Sequence, residues 1–364
     1  MSSPAGTKAA SVAPSPEWEA VDTCDLCGSQ RRRAGERYQV GEVECILYDC
    51  GNCGLAYVSP RPTPESIGRF YDTGYEAMHG IYLEPPVSRV VTPMLRRLLR
   101  VRYGPSPAGR RLVRLVVPWE RKWRRILREQ HLQAIAGLGA VLDVGCGRGY
   151  WLATMRRWGF ECVGCEPDRA VAEAARAQGL NVHVGDLIQA AFPDGRFDVV
   201  RFSHVLEHVH SPLAVLTEVA RILRPGGVVV VTVPNHVGLV ANAFRETEDV
   251  PRHLFSFCPD TLARAMGAVG LQVVEARTET PTPRDLYSQF PPAFRRALVG
   301  RSDAEDALSQ VNDLLDGQAR RSNGEFRRLV GLIDVLGLGC QVVVVARKGE
   351  APSVDPQDVA CASS

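Results

Sequence analysis

Residues 141–150 read Val-Leu-Asp-Val-Gly-Cys-Gly-Arg-Gly-Tyr, and this stretch decides the fold. A short apolar strand runs into a turn with three alternating glycines, and a helical pattern follows from Tyr150 to Trp158. Glycines let a backbone approach a ligand where a Cβ atom would collide. The third glycine comes one residue too early for the dinucleotide motif GxGxxG, and no P-loop sequence is present. The turn therefore predicts a ligand site that is not a pyrophosphate site.

Strands and helices alternate after this turn. We predict strands over Glu161–Cys165, Asn181–Val184, Phe197–Phe202 and Val228–Val233, separated by helices over Asp168–Gln178 and up to Leu223. This rhythm predicts an α/β fold with a doubly wound, mostly parallel sheet. Ligands bind such sheets at the carboxyl ends of the strands, where the predicted strands place Asp143, Glu166, Asp186 and His204.

Two CxxC-Gly knuckles precede this region. Cys24 and Cys27 form the first, Cys50 and Cys53 the second, and 22 residues separate the two. Two residues between thiolates let both sulfur atoms reach one tetrahedral ion. We predict a closed, structural Zn²⁺ site with these four ligands; a redox CxxC motif would occur singly. Cys45, between the knuckles, is predicted to be a bystander.

The ordered motifs resemble those of the class I S-adenosylmethionine-dependent methyltransferases. The matching segments are VLDVGCGRGY at 141–150, GCEPD at 164–168, GD at 185–186, FDVVRFSHVLEHV at 197–209 and LRPGG at 223–227. The resemblance covers roughly residues 135–280, and with the knuckles it extends to bacterial members that carry an N-terminal zinc ribbon. It implies a seven-stranded Rossmann-like sheet and S-adenosylmethionine as cofactor.

The resemblance also implies a donor site at the ends of the first strands. The three glycines would surround the methionine part of the donor, with Asp143 ordering the loop and the donor's amino group. Glu166 would accept both ribose hydroxyls, and Asp186 would meet the adenine amino group. The implied donor-binding residues are Asp143, Gly145, Cys146, Gly147, Gly149, Glu166, Pro167, Asp186, Leu187 and His204.

A histidine-rich segment follows the predicted fourth strand. His204, Glu207 and His208 have spacings of three and four, which suit one face of a helical turn. The segment resembles the ExxEH segment of ubiquinone-biosynthesis O-methyltransferases, where two carboxylates and a histidine hold a divalent ion. His204 replaces the first carboxylate here, which disfavours a hard ion such as Mg²⁺.

Three roles remain open for this segment: structural or donor contact, a general base at His204 or His208, and metal ligation. His253 is the third catalytic candidate because it would face the acceptor; the alternative is a hydrogen-bonded loop histidine. No Asn/Asp-Pro-Pro-Tyr segment follows the fourth strand, which disfavours methylation of an exocyclic base amine.

Composition limits the remaining classes. The chain has 364 residues, 45% of them hydrophobic, and a net charge of +2, which is ordinary for a globular protein. No apolar run approaches the roughly 20 residues of a membrane-spanning helix. The absence of an export signal favours a cytoplasmic protein with reduced cysteines. Residues 89–128, however, hold thirteen Arg or Lys and one acid.

We predict that this basic segment forms two amphipathic helices packed on the core. The alternative is contact with an anionic membrane surface or a phosphate-rich substrate. The predicted organisation is a disordered leader at 1–20, a zinc-ribbon module at 21–60, a helical basic linker at 61–134, a methyltransferase core at 135–349 and a disordered tail at 350–364. A helical insertion at about 281–337, before the last strand, is predicted to cap the substrate.

Three functions are consistent with these patterns. The favoured one is methyl transfer to a small-molecule acceptor such as a glycan, sugar nucleotide or natural product. The alternative is an RNA methyltransferase that grips RNA through the zinc ribbon and basic linker. A non-enzymatic scaffold is disfavoured by the intact glycine turn and strand-end acids.

Overall fold

The computed structural model describes residues 15–71, 139–158, 160–238, 249–280, 334 and 336–349. The predicted basic linker, almost all of the helical insertion, most of the leader and the tail therefore lie outside the described residues. Within the described residues, no helix is long and apolar enough to cross a membrane.

The N-terminal module consists of short antiparallel strands. A hairpin of two longer strands carries the second knuckle at its end, and the strands that follow lead to a 3₁₀ turn over Ile67–Phe70, where the sequence predicts a short helix over Glu65–Tyr71. The strands are β1 (Trp18–Glu19), β2 (Arg32–Val40), β3 (Val43–Cys50), β4 (Ala56–Ser59) and β5 (Arg61–Pro62).

The core is the predicted α/β sheet. Its elements are β6 (Ala140–Val144), α1 (Tyr150–Trp158), β7 (Glu161–Glu166), α2 (Arg169–Ala177), β8 (Val182–Val184), β9 (Phe197–Ser203), α3 (Pro212–Ile222), β10 (Leu223–Pro234), β11 (Phe255–Ser256), α4 (Pro259–Ala268), β12 (Leu271–Glu279) and β13 (Gln341–Lys348). Seven strands pair in the order β12-β13-β10-β9-β6-β7-β8, and within this sheet only β13 runs antiparallel to its neighbours. The predicted seven-stranded, mostly parallel fold class is confirmed.

The centre of this sheet is buried on both faces. In β10, Val228 to Val233 are all less than 5% exposed, which explains why the sequence there is a continuous apolar run instead of an alternating one. The strands β6, β7, β8 and β9 pair in parallel, so their carboxyl ends meet at one edge of the sheet.

The N-terminal module and the core share a sheet. Phe255 of β11 pairs with Tyr57 of β4, and Ser256 pairs with Ala56, which gives a second, four-stranded sheet in the order β11-β4-β3-β2. Leu55 and Tyr57 belong to the same buried hydrophobic cluster as the central strands of the core. The module is therefore joined to the core by backbone pairing and by a common interior.

A carboxylate from the first knuckle completes this junction. Ser211 caps helix α3 and accepts a hydrogen bond from the Ala214 amide. Asp25, between the two cysteines of the knuckle, accepts hydrogen bonds from Ser211 Oγ at 2.8 Å and from the Leu213 amide at 2.9 Å. Asp25 thus satisfies an amide that the helix start leaves without an intrahelical acceptor, and its charge lies at the positive end of the helix.

We expect Asp25→Ala to lower the free energy of unfolding by about 1–2 kcal/mol, since a lost N-cap interaction costs this much. Asp22→Ala is the matched control: Asp22 is exposed and pairs with Arg32 at 3.1 Å, so its loss should cost at most about 1 kcal/mol. Urea unfolding at equal metal content measures both values. Equal losses in the two variants would contradict the junction described above.

Candidate active site

The glycine turn between β6 and α1 has two different surroundings. Gly145, Gly147 and Gly149 all have positive φ angles, which L side chains rarely adopt. A Cβ atom on Gly145 would lie 2.5 Å from Cγ2 of Val205, whereas a Cβ atom on Gly147 would have no neighbour within 4 Å among the described residues. Val205 therefore packs against Gly145, and the open side of the turn is at Gly147.

Glu166 lies beside this open side. At the end of β7, its Oε2 accepts a hydrogen bond from the Gly147 amide at 3.0 Å, and its Oε1 accepts one from the Asp168 amide at 3.0 Å. The Asp168 carboxylate in turn caps α2 by accepting from the amides of Ala170 and Val171. The carboxylate of Glu166 is thus fixed against the glycine turn, on the strand next to β6.

Asp143 makes a buried ion pair. Its Oδ1 lies 2.7 Å from a guanidinium nitrogen of Arg201 on β9, and both side chains are less than 10% exposed. The Trp151 ring packs against that guanidinium; the distance from the Arg201 Cζ atom to the ring centroid is 4.8 Å. Burial raises the pKa of Asp143, and the charge of Arg201 opposes this shift. The pair ties β6 to β9 directly below the glycine turn.

The other predicted donor residues are spread along this sheet edge. Asp186, after β8, is exposed, and its Oδ1 accepts from the Gln189 amide at 2.7 Å. Leu187 is buried, and Pro167 is exposed. Cys146 is buried next to Gly164, where an added Cβ atom would lie 2.5 Å from its sulfur. Burial raises the pKa of the Cys146 thiol.

The histidine-rich segment is not the single helical turn that its spacing suggests. Only Leu206–His208 forms a 3₁₀ turn. His204 precedes this turn with a φ of 55°, and its amide donates to the Thr232 carbonyl at 2.9 Å. His204 Nδ1 nevertheless lies 3.5 Å from Glu207 Oε1.

Glu207 is the most deeply buried acid of this segment, with 1% exposure. Among the described residues, neither of its carboxylate oxygens has a hydrogen-bond partner. Burial raises the pKa of Glu207, but the neighbouring His204 and His208 lower it, and the pKa ends below its ordinary value. Burial also lowers the pKa of His208 to about 4, so this imidazole is neutral at pH 7.

The structure brings His253 to this pair. His208 Nδ1 lies 2.9 Å from the Arg252 carbonyl oxygen and 3.1 Å from Tyr71 Oη, and the rings of His208 and His253 meet edge to face at 4.8 Å. Sequence patterns gave no sign of Tyr71 as a neighbour. A small cleft beside these residues is lined by Glu207, Pro234, His236, His253, Phe255 and Ser256.

The four knuckle cysteines form a compact group. The Sγ atoms of Cys24 and Cys53 are 3.5 Å apart, as are those of Cys27 and Cys50, and all four lie within 4.8 Å of one another. Sulfur atoms bound to one tetrahedral zinc ion at about 2.3 Å would be about 3.8 Å apart. The group therefore has the size and the chemistry of a four-thiolate metal site.

Comparisons with known proteins assign the core to a family. Residues 119–276 match the family described as a methyltransferase domain. A probable S-adenosylmethionine-dependent methyltransferase of Mycolicibacterium smegmatis is 30% identical over 135 residues, which are 36% of this chain and 52% of the relative. Residues 119–276 thus form a methyltransferase domain that is similar to those of S-adenosylmethionine-dependent enzymes.

Other relatives match the same domain over shorter spans. A demethylmenaquinone methyltransferase of Corynebacterium glutamicum is 33% identical over 108 residues, 30% of this chain and 46% of the relative. The chain thus spans about half the length of these two curated relatives. An S-adenosylmethionine-dependent methyltransferase structure from Archaeoglobus fulgidus has a TM-score of 0.42 at 19% identity, covering 63% of this chain and 94% of that one.

We expect Arg201→Met to destabilise the methyltransferase domain by about 3–5 kcal/mol, because it leaves the buried charge of Asp143 without a partner. Denaturant unfolding followed by circular dichroism measures the change. Arg33→Met is the control, since Arg33 pairs with Asp49 at the surface and its loss should cost at most about 1 kcal/mol. A cost for Arg201→Met that matches the control would show that the buried pair contributes little.

Proposed function

We propose that the whole chain is an S-adenosylmethionine-dependent methyltransferase acting on a small-molecule acceptor. The observation that carries this proposal is the arrangement at the glycine turn, where Glu166 is fixed beside the open side of Gly147. The family match over residues 119–276 supports the donor. The name of the Corynebacterium relative specifies a small-molecule acceptor for that protein, which favours the same class here.

In this proposal, different residues at the sheet edge bind different parts of S-adenosylmethionine. Glu166 is a charged acceptor on the strand next to the glycine turn, as two ribose hydroxyls require. Gly147 leaves room for the methionine part, because no side chain in the described part of the chain lies where its Cβ atom would be. Asp186 is exposed at the end of β8 and is assigned to the adenine amino group. Asp143 acts indirectly, by holding β6 and β9 together through Arg201.

We assign the reacting group of the acceptor to the small cleft bordered by His253, Glu207 and Ser256. S-adenosylmethionine supplies an activated methyl group, so the protein mainly aligns the acceptor and removes its proton where one must leave. Of the three predicted catalytic histidines, His253 borders the cleft. The Nδ1 of His208 is already engaged by Arg252 and Tyr71, which suits a positioning role.

We expect Glu166→Ala to weaken S-adenosylhomocysteine binding by at least about tenfold, since hydrogen bonds to a charged group contribute about 1.5–3 kcal/mol. Isothermal titration calorimetry measures the dissociation constant. Glu173→Ala is the control: Glu173 is exposed on α2 and pairs with Arg176, and its removal should leave binding unchanged. No binding by the unmodified protein would overturn the proposed donor.

We further propose that the four knuckle cysteines hold one structural Zn²⁺. A site with four thiolates has no open coordination position, so this metal would fix the chain without taking part in chemistry. Because Cys24 and Cys50 belong to the hydrophobic cluster of the core, the metal would stabilise the methyltransferase domain as well as the module.

We expect Cys27→Ser to remove this zinc ion and to lower the thermal midpoint of the whole protein in one transition. Cys45→Ser is the matched control, because Cys45 is a fully buried cysteine of the same module that lies outside the four-sulfur group. It should keep the metal even if it costs stability. Metal analysis and calorimetry test both variants; an unchanged metal content in Cys27→Ser would refute the assignment.

The RNA alternative rests on the basic residues 89–128, which lie outside the described residues. It therefore stays a prediction from the sequence, as do contact with an anionic membrane and the cytoplasmic location. Retention on immobilised RNA that falls steeply with salt would favour the RNA function, because phosphate contacts release counterions. Absence of retention at low salt would end it.

A further inference from the structure

A buried carboxylate without a donor is unusual and calls for a partner. Both oxygens of Glu207 are shielded from solvent, and no donor among the described residues reaches them. Two ring nitrogens lie near its Oε1, His204 Nδ1 at 3.5 Å and His208 Nε2 at 4.0 Å. Leaving such a group without hydrogen bonds in the interior costs several kcal/mol unless a cation or a proton compensates it.

The ring of His208 does not donate a proton to Glu207, because its N–H points to another acceptor. Its Nδ1 lies 2.9 Å from the Arg252 carbonyl oxygen, which can only accept, so Nδ1 carries the hydrogen. In the neutral ring, Nε2 then presents a lone pair on the side of Glu207. Histidines that bind metals usually donate their second ring N–H to a backbone carbonyl or a carboxylate in this manner.

A third ligand comes from a separate segment of the chain. One ligand atom each of Glu207, His208 and His253 lie within 4.8 Å of one another, and all three residues are at least partly buried. Ligand atoms around a tetrahedral ion at about 2.1 Å are about 3.4 Å apart, so these side chains would draw together by roughly an ångström.

We propose that Glu207, His208 and His253 bind one divalent transition-metal ion. Two imidazoles and one carboxylate are the ligand set of catalytic Zn²⁺ and of non-haem Fe²⁺ sites, and not of Mg²⁺, which prefers oxygen ligands. His204, which the spacing pairs with Glu207 and His208, is not part of this set. Three protein ligands leave at least one coordination position open.

The open position would face the cleft, because Glu207 and His253 both line it. A hydroxyl oxygen of the acceptor bound there would be polarised, and the pKa of that hydroxyl would fall. This consequence rests on the proposed methyl transfer, whereas metal binding itself does not. The site is also distinct from the four-cysteine group, which contains neither histidine nor carboxylate.

The test counts metal ions in the full-length protein. The purified chain is equilibrated with Zn²⁺ without S-adenosylmethionine, separated from free metal by gel filtration and analysed by mass spectrometry for zinc per chain. We expect two ions per chain for the unmodified protein and one for His253→Ala and for Glu207→Gln. Cys27→Ser should also retain one, at the site proposed here.

His210→Gln is the matched control. His210 belongs to the same segment but binds the Pro62 carbonyl oxygen through Nε2, so this variant should keep two ions. Circular dichroism verifies that each variant is folded. If Glu207→Gln does not fold, His253→Ala decides, because His253 is only partly buried.

Two outcomes would overturn the site: one ion per chain in the unmodified protein, lost in Cys27→Ser, or two ions retained in His253→Ala. Co²⁺ substitution provides a second readout. The unmodified protein should show a component without thiolate-to-metal charge transfer, and His253→Ala should lack it. The metal count is made without the methyl donor, so it is independent of the S-adenosylhomocysteine titrations. A missing second ion would contradict only the metal site, and missing S-adenosylhomocysteine binding would contradict only the proposed function.

Discussion

The pairing of β4 with β11 is the constraint on which the rest of the site depends. Two backbone pairs, Phe255 with Tyr57 and Ser256 with Ala56, join segments about 200 residues apart in sequence. Closing so long a loop costs conformational entropy, which the shared hydrophobic cluster and the Asp25 contacts at α3 offset. The four-cysteine group lies beside this pairing. The module is therefore structurally part of the methyltransferase domain.

This junction holds the histidine-rich segment from outside the sheet. Arg61 donates to the His210 carbonyl at 3.0 Å, His210 binds the Pro62 carbonyl at 2.9 Å, and Tyr71 contacts His208. All three contacts come from the stretch just after the second knuckle. Loops after the strands of an α/β sheet commonly carry functional residues on a rigid scaffold. Here a second element fixes the histidine-rich segment, which explains how a buried acid such as Glu207 is kept in place.

The sequence predicted the core well and the junction poorly, for physical reasons. β10 follows from local pattern, because a run of valines indicates a buried strand without knowledge of its partners. β11 has two residues, and nothing local marks it as a strand. His253 was singled out from the sequence, but its contact with His208 could not be predicted, because it depends on the fold. Spacing grouped His204 with Glu207 and His208; the three do not share one helical turn, yet His204 Nδ1 lies 3.5 Å from Glu207 Oε1.

The glycine motif has two roles, one in packing at Gly145 and one in leaving space at Gly147. Its sequence suggests that every glycine makes room for a ligand, yet Gly145 makes room for Val205, which would collide with any Cβ atom there. Val205 directly follows His204. The left-handed backbone of His204 is costly for a residue with a side chain. The turn after β6 and the segment after β9 are thus packed against each other at this point. A ligand held by Gly147 and Glu166 would therefore lie against a turn whose shape the histidine-rich segment helps to set, so the proposed donor site and the proposed acceptor site are coupled through this contact.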